Sequence, residues 1–287
     1  MASRFVSHIS NSTIEIVDCL NADRDMQTGI SIYNHLHDLT PDRVPRIRRH
    51  AIDSEDALWA CLDTIERECL EGWKPIIHLE GHASKAGFEM RRNLYPTYPI
   101  IPWAKLVDRL REINVASRFN LGVFVAACEG IEALRPMTIK KAAPYMFLVG
   151  PNVEVTASVM KTTAEAFYNV IIKAPDLSQA FRSLPREFTA FLAERLLVTT
   201  YARMLKAQSI GRNRKARVEC LVNMVVPPNA PIEQLRSVRE AAKLFSRPDR
   251  NRFEAVQRTF LPLGVNFDFD DLVEYSRTGK IPGKQDF

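Results

Sequence analysis

Lys74-Pro75-Ile76-Ile77-His78-Leu79-Glu80-Gly81-His82-Ala83 and Asn120-Leu121-Gly122-Val123-Phe124-Val125-Ala126-Ala127-Cys128-Glu129-Gly130 are two apolar runs, each closing on a reactive side chain. Their length, β-rich composition and Pro/Gly punctuation predict a short buried strand of a parallel sheet for each. If the two strands lie side by side, His82 and Cys128 meet at their C-terminal ends. In an open α/β sheet that edge is where ligands and reacting groups collect. A thiol beside an imidazole is the minimal apparatus of a cysteine hydrolase, because the imidazole helps to form the thiolate nucleophile.

The surrounding pattern agrees with such a sheet. Thr13 to Cys19 is β-like, and a helix is expected over about Gln27 to Leu39, broken by Thr40-Pro41-Asp42. Arg46 to Ile52 alternates weakly, as an edge strand does. Ser54 can cap a helix over Glu55 to Glu71, whose apolar positions recur at helical spacing. After the His82 strand come a polar loop with Gly87, the stretch Pro96 to Pro102, and a helix near Trp103 to Ile113, with Trp103 as core packing. Gly130 to Ala143 reads as a loop with a short helical piece, Tyr145 to Gly150 as a further strand, and Thr156 to Lys173 as a helix. The alternation of strand and helix predicts an α/β fold, a mainly parallel sheet with helices on both faces. Pro175 to Pro185 interrupts the order. Beyond it the chain reads as mostly helical, over Glu187 to Gln208, Ala230 to Leu244 and Arg250 to Thr259, with Val218 to Val226 of uncertain type. The expected division is 1–185 for the α/β domain and 186–287 for a helical segment that docks or binds a partner.

Composition narrows the function classes. The 287 residues carry a formal net charge of +5, which permits acidic partners without requiring one. The five cysteines, Cys19, Cys61, Cys69, Cys128 and Cys220, are scattered and contain no CxxC pair, so neither a zinc ribbon nor a secreted disulfide framework is indicated. A reducing cytoplasm is the expected setting. Met1 to Ser12 lacks the apolar core of a signal peptide, and no apolar run is long enough to span a membrane.

The segments IIHLEGHASKAGF, IPWAKLVDRLREIN and LGVFVAACEG resemble the caspase-like cysteine peptidases of clan CD, in their bacterial CHAT-like branch. Members end one strand in a catalytic His and the neighbouring strand in a small residue and the catalytic Cys. Cys128 follows His82 by 46 residues, and caspases place the His roughly 50 residues upstream of the Cys. Ala127-Cys128-Glu129-Gly130 has the caspase-like form Ala-Cys-x-Gly. The resemblance covers about residues 12 to 175. It implies a His82/Cys128 dyad, with backbone N–H groups of Cys128 and of Gly81 to Ala83 stabilising the oxyanion. Ala83 stands where the family usually has Gly, and a left-handed conformation costs Ala more; Gly87 downstream can keep the loop permissive. The loop after the first strand lines the S1 pocket in several relatives. Here Arg24 suits an acidic P1 residue, whereas Asp23 or Asp25 suits a basic one; Glu129 is a further candidate for substrate contact. The resemblance also implies a protein substrate, a sensor or adaptor as regulator, and a role in anti-phage defence or cell death.

Other readings stand beside this one. His78 and His82 are four apart on a strand, not on the helix that a zinc-binding HExxH requires, so no metal or other cofactor is expected and His78 reads as a satisfied sheet histidine. Glu80 and Glu129 read as solvated loop carboxylates. The cluster Gly211-Arg212-Asn213-Arg214-Lys215-Ala216-Arg217 lacks interleaved aromatics, so it reads as a solvated loop or docking surface and nucleic acid is not the expected partner. The rival to a peptidase is a catalytically decayed relative acting as a protein-binding module. The oligomeric state is open.

Overall fold

The computed structural model describes residues 9–40, 45–90, 99–265 and 267–280. The chain divides into two compact units, whose described residues run from 9 to 193 and from 194 to 280. The expected break at Pro41-Asp42 and the start of the Pro96 stretch lie outside the described residues.

The first unit runs β1 (Thr13–Asp18), α1 (Thr28–Leu39), β2 (Arg46–Ala51), α2 (Glu55–Leu70), β3 (Pro75–Glu80), β4 (His82–Ser84), β5 (Gly87–Glu89), β6 (Ile100–Pro102), α3 (Trp103–Ala116), β7 (Gly122–Ala126), β8 (Phe147–Pro151), α4 (Ala157–Lys173), α5 (Leu177–Arg182) and β9 (Phe188–Leu192), with a 3-10 turn at Gly130–Leu134. Six strands form one sheet in the order β2-β1-β3-β7-β8-β9, parallel except for β9. The mainly parallel α/β fold expected from the sequence is therefore present.

Alternation along the strands sends side chains to two covered faces. Val17, Ile77, Leu79, Val123, Val125 and Leu148 pack with Leu58, Leu62 and Ile65 of α2 and Leu106, Val107 and Leu110 of α3. On the other face the Phe124 ring lies 5.5 Å from Phe167 of α4, and Phe147 lies 6.1 Å from the same ring. The central strands β3 and β7 are buried along their whole lengths. β2, at the edge, carries Arg46, Arg48, Arg49 and His50 and is partly exposed, as edge strands must be to resist further pairing. Ser54 caps α2, accepting from the Ala57 N–H at 3.2 Å.

Several readings are corrected. Phe188–Leu192 is a strand, not the start of a helix: it pairs antiparallel with β8 and buries its two end phenylalanine and leucine positions. The loop after His82 is a three-stranded antiparallel sheet, β4-β5-β6. Gly87 lies within it for close approach, since a Cβ there would fall 2.1 Å from the Ile101 carbonyl oxygen. Glu80 is not a solvated carboxylate. It is 3% exposed, accepts from the Thr28 hydroxyl at 2.6 Å and meets His78 Nε2 at 2.8 Å. His78, as expected, is a satisfied sheet histidine: its Nδ1 lies 3.1 Å from the Tyr168 hydroxyl and its ring stacks on Phe124. Burial, and after it the Glu80 carboxylate, hold the Tyr168 phenol well above its ordinary pKa, so the hydroxyl is a donor.

The second unit is helical: α6 (Ala193–Gln208), α7 (Gly211–Val225), α8 (Ile232–Phe245), α9 (Arg250–Phe260) and α10 (Phe269–Thr278). Tyr201, Phe253 and Phe269 form an aromatic line, with ring centroids 5.1 and 5.9 Å apart. Val218, Val222 and Ala242 join α7 to α8. The cluster 211–217 is thus the first half of a helix, not a loop, and Val218 to Val226 continues it.

A second buried charge system ties β1 to β2 and α2. Glu15, fully buried, is met by Arg48 at 2.7 Å and by His50 at 2.7 Å, and Arg48 reaches on to Glu68 at 2.6 Å. Burial alone would raise the Glu15 pKa, but hydrogen bonds from His50, Arg48 and Thr13 outweigh it and hold it below the ordinary value. Hydrogen bonding to Cys61 and then to Glu15 raises His50 to about 9. A depressed carboxyl stabilises the fold above its unfolded value of 4.5 and that stability is lost on acidification. A raised imidazole stabilises it fully below 6.5, and that stability is lost as pH rises through about 9. Stability measured by thermal denaturation should therefore decline between those two values, and His50→Gln should flatten the decline; a wild-type midpoint that is level across the window contradicts the network. Glu80→Ala strands the His78 ring and the Thr28 hydroxyl, so it should cost about 3 kcal/mol in denaturant unfolding. A cost under about 0.5 kcal/mol is what a solvated carboxylate would give.

Candidate functional site

The register of the two central strands sets the site. β3 and β7 pair from Ile76↔Gly122 to Glu80↔Ala126, and the Gly81 N–H extends the ladder to the Ala126 carbonyl at 3.3 Å. His82 and Cys128 each lie two residues beyond the last pair, so the chain leaves both strands at the same edge and level.

His82 opens β4 and sits opposite Glu89. Its hairpin is fixed by Phe88, fully buried, and by the Trp103 indole N–H, which donates to the Ser84 carbonyl at 3.0 Å. The imidazole is 30% exposed, and its Nε2 lies 3.0 Å from Asp25 Oδ1. Asp25 is held by its own loop: its other oxygen accepts from the Asn21 N–H at 2.8 Å, and the Gln27 amide donates to the Asn21 and Asp25 carbonyls at 2.9 and 3.0 Å. This loop follows β1, the immediate neighbour of β3. The third strand thus delivers a carboxylate to the imidazole, a contact that the sequence reading did not find. Its signal in the sequence is the position of Asp25 in the loop after the neighbouring strand, where it reads as a substrate-binding candidate.

A sharp reversal follows Cys128. Glu129 adopts φ 54° and ψ 24°, left-handed backbone that costs a non-glycine residue roughly 1–2 kcal/mol. The Gly130 N–H donates to the Ala127 carbonyl at 3.1 Å and starts the 3-10 turn. The Cys128 thiol is half-buried and lies 3.8 Å from the Val155 carbonyl, to which it donates. Among the described residues no hydrogen bond joins it to His82, and none occupies the Cys128 backbone N–H. Lys85, in the β4–β5 turn, reaches Glu129 at 3.6 Å, which brings the His82 hairpin and the Cys128 turn together directly.

The remaining sequence candidates are distributed as follows. Asp23 and Arg24 are exposed in the loop that carries Asp25. The Asp25 carboxylate is occupied by His82 and Asn21, and Glu129 is paired with Lys85, so neither is a free S1 charge. The Gly81 N–H is spent on Ala126, which removes it from the oxyanion set; Ala83 lies in β4 opposite Phe88. Among the described residues no cluster of His, Cys, Asp and Glu could hold a metal ion, and no helix is long and apolar enough to cross a membrane.

No protein-family model and no curated protein sequence matches the chain. Among solved structures, a secreted C11 cysteine protease from Bacteroides thetaiotaomicron, in complex with an irreversible peptide inhibitor, is similar with a TM-score of 0.40 and 8% identity, over 87% of this chain and 83% of that one.

Proposed function

We propose that the chain is a cysteine endopeptidase of caspase-like type, with Cys128 as nucleophile and His82 as proton carrier, acting on a protein substrate. One observation carries the reading: the His82 hairpin and the Cys128 turn leave adjacent, in-register central strands at one edge and are bridged by Lys85 and Glu129. In this mechanism Cys128 Sγ attacks the scissile carbonyl carbon. The thiol proton passes to His82, which returns it to the leaving amine; water then hydrolyses the thioester with His82 as base. The unoccupied Cys128 N–H stabilises the oxyanion, a contribution of roughly 3–4 kcal/mol per donor in enzymes of this chemistry. With Nε2 bound to Asp25, Nδ1 is the nitrogen left to exchange the proton, so Asp25 is a positioning residue for the imidazole. Asp23 and Arg24 remain the S1 candidates. Control by a sensor or adaptor, in an anti-phage or cell-death setting, is part of the proposal by resemblance alone.

A protein-binding module without catalysis is the second reading. What favours it is the thiol directed at Val155 rather than His82. Activity on a positional library of peptides, with and without proteins encoded beside the gene, separates the two. Cys128→Ala should abolish cleavage, and His82→Ala should lower kcat/KM by about a hundredfold or more. Asp25→Asn should lower kcat by about tenfold with KM little changed, whereas a residue of the S1 pocket would move KM and the P1 preference. Cleavage that persists in Cys128→Ala contradicts the peptidase assignment.

A further inference from the structure

We propose that the helical C-terminal unit carries a binding site for a small molecule bearing two or more phosphate groups, of nucleotide size, in the cavity where the start of α7 faces the end of α8 and α10. The sequence places Arg212, Arg214 and Lys215 at the N-terminal end of α7, where the helix dipole favours negative charge. The first turn holds no acidic residue, and Ile210 at the cap position offers no side-chain acceptor for the free N–H groups. Asn213 does not serve either, since its amide donates to the Lys206 carbonyl at 3.0 Å. By local rules this is a poorly built helix start, and such departures mark functional positions.

The helix start opens on a cavity of about 700 Å³, within the range of small-ligand sites. Four cations line it, Arg214, Lys215, Lys243 and Arg277, against one carboxylate, Glu219. Glu219 is taken up by Arg239 at 2.8 Å, and Lys243 and Arg277 have carboxylate partners in Glu240 and Glu274 at 2.7 and 3.7 Å. Neither Arg214 nor Lys215 forms an ion pair among the described residues. Arg214 is instead anchored by one nitrogen on the Lys243 carbonyl at 3.0 Å, while its Nε–H is buried with no acceptor among the described residues. Arg217 is excluded from the site: its guanidinium lies over the Phe245 ring at 5.6 Å.

The lining cations and the uncapped helix start suit phosphate, which accepts several charge-assisted hydrogen bonds at once. The volume exceeds what inorganic phosphate fills, and Ile210, Val218 and Pro248 supply an apolar wall. A phosphorylated molecule with a flat or apolar body satisfies both halves. A long nucleic acid would need the charge spread along a surface with aromatic platforms.

Isothermal titration of the full chain with ADP, with inorganic pyrophosphate and with adenosine tests this. ADP should bind, pyrophosphate should compete, and adenosine should fail. Lys215→Ala, an exposed substitution that leaves the fold intact, should raise the ADP Kd by about tenfold, and the Arg214→Ala/Lys215→Ala pair by more. Arg186→Ala, in the other unit, should leave it unchanged. Absence of ADP and pyrophosphate binding at millimolar concentration overturns the proposal. So does equal ADP affinity in wild type and Lys215→Ala, or an RNA oligonucleotide that binds where ADP does not.

Discussion

The parallel pairing of β3 with β7 is the constraint on which the rest depends. Both strands are covered on two faces, so register cannot slip without sending a buried set of side chains to the wrong layer. Ile77 and Leu79 must meet the α2–α3 layer while His78 meets the α4 aromatics, and Val123, Val125 and Phe124 obey the same alternation. A parallel pair ends both of its strands at the same edge. The positions of His82 and Cys128 are therefore a consequence of core packing, reached before any chemistry is considered.

That edge carries polar side chains on a sheet whose central strands are otherwise largely apolar. It is supported from below by the chain Thr28, Glu80, His78 and Tyr168, in which each buried polar group has a partner. Asp18 does similar work at the end of β1, pairing with Arg49 at 2.6 Å beneath the start of α1. Gly29 is required there, since a Cβ would fall 2.6 Å from the Asp18 carboxylate. Fully satisfied networks of this kind rigidify what lies above them. The loop from Asn21 to Gln27, closed on itself, then holds Asp25 against His82.

The sheet was legible in the sequence because buried parallel strands are short apolar runs bounded by Pro and Gly, and their helices carry period-3.6 faces. Ile76 to Leu79 and Val123 to Ala126 needed no further information. β9 was not legible: Phe188 to Leu192 merges into the helical pattern that begins at Ala193, and only pairing with β8 decides its state. Glu80 reads as solvated because a carboxylate in isolation is normally exposed; its partner Thr28, and the Tyr168 hydroxyl that closes the chain on His78, lie far away in sequence. The same separation hid the Asp25–His82 contact. Gly87 reads as keeping its loop permissive, whereas what requires glycine there is the close approach of β6. The basic cluster at 211–217 reads as a solvated loop or docking surface because Gly211 and four closely spaced cations make a poor helix opening, and the helix forms there nonetheless.

The proposed dyad requires His82 and Cys128 to act on one another across the sheet edge, although the thiol faces the Val155 carbonyl. The most direct measurement is the rate of alkylation of each cysteine near neutral pH, resolved by mass spectrometry, in wild type and in His82→Ala. Cys220 is exposed and serves as the internal reference, while Cys19, Cys61 and Cys69 are buried. Cys128, half-buried, should nevertheless react faster than Cys220 and fall to or below that reference in His82→Ala. A Cys128 that reacts more slowly than Cys220 in the wild type, with a rate indifferent to His82→Ala, would contradict the dyad.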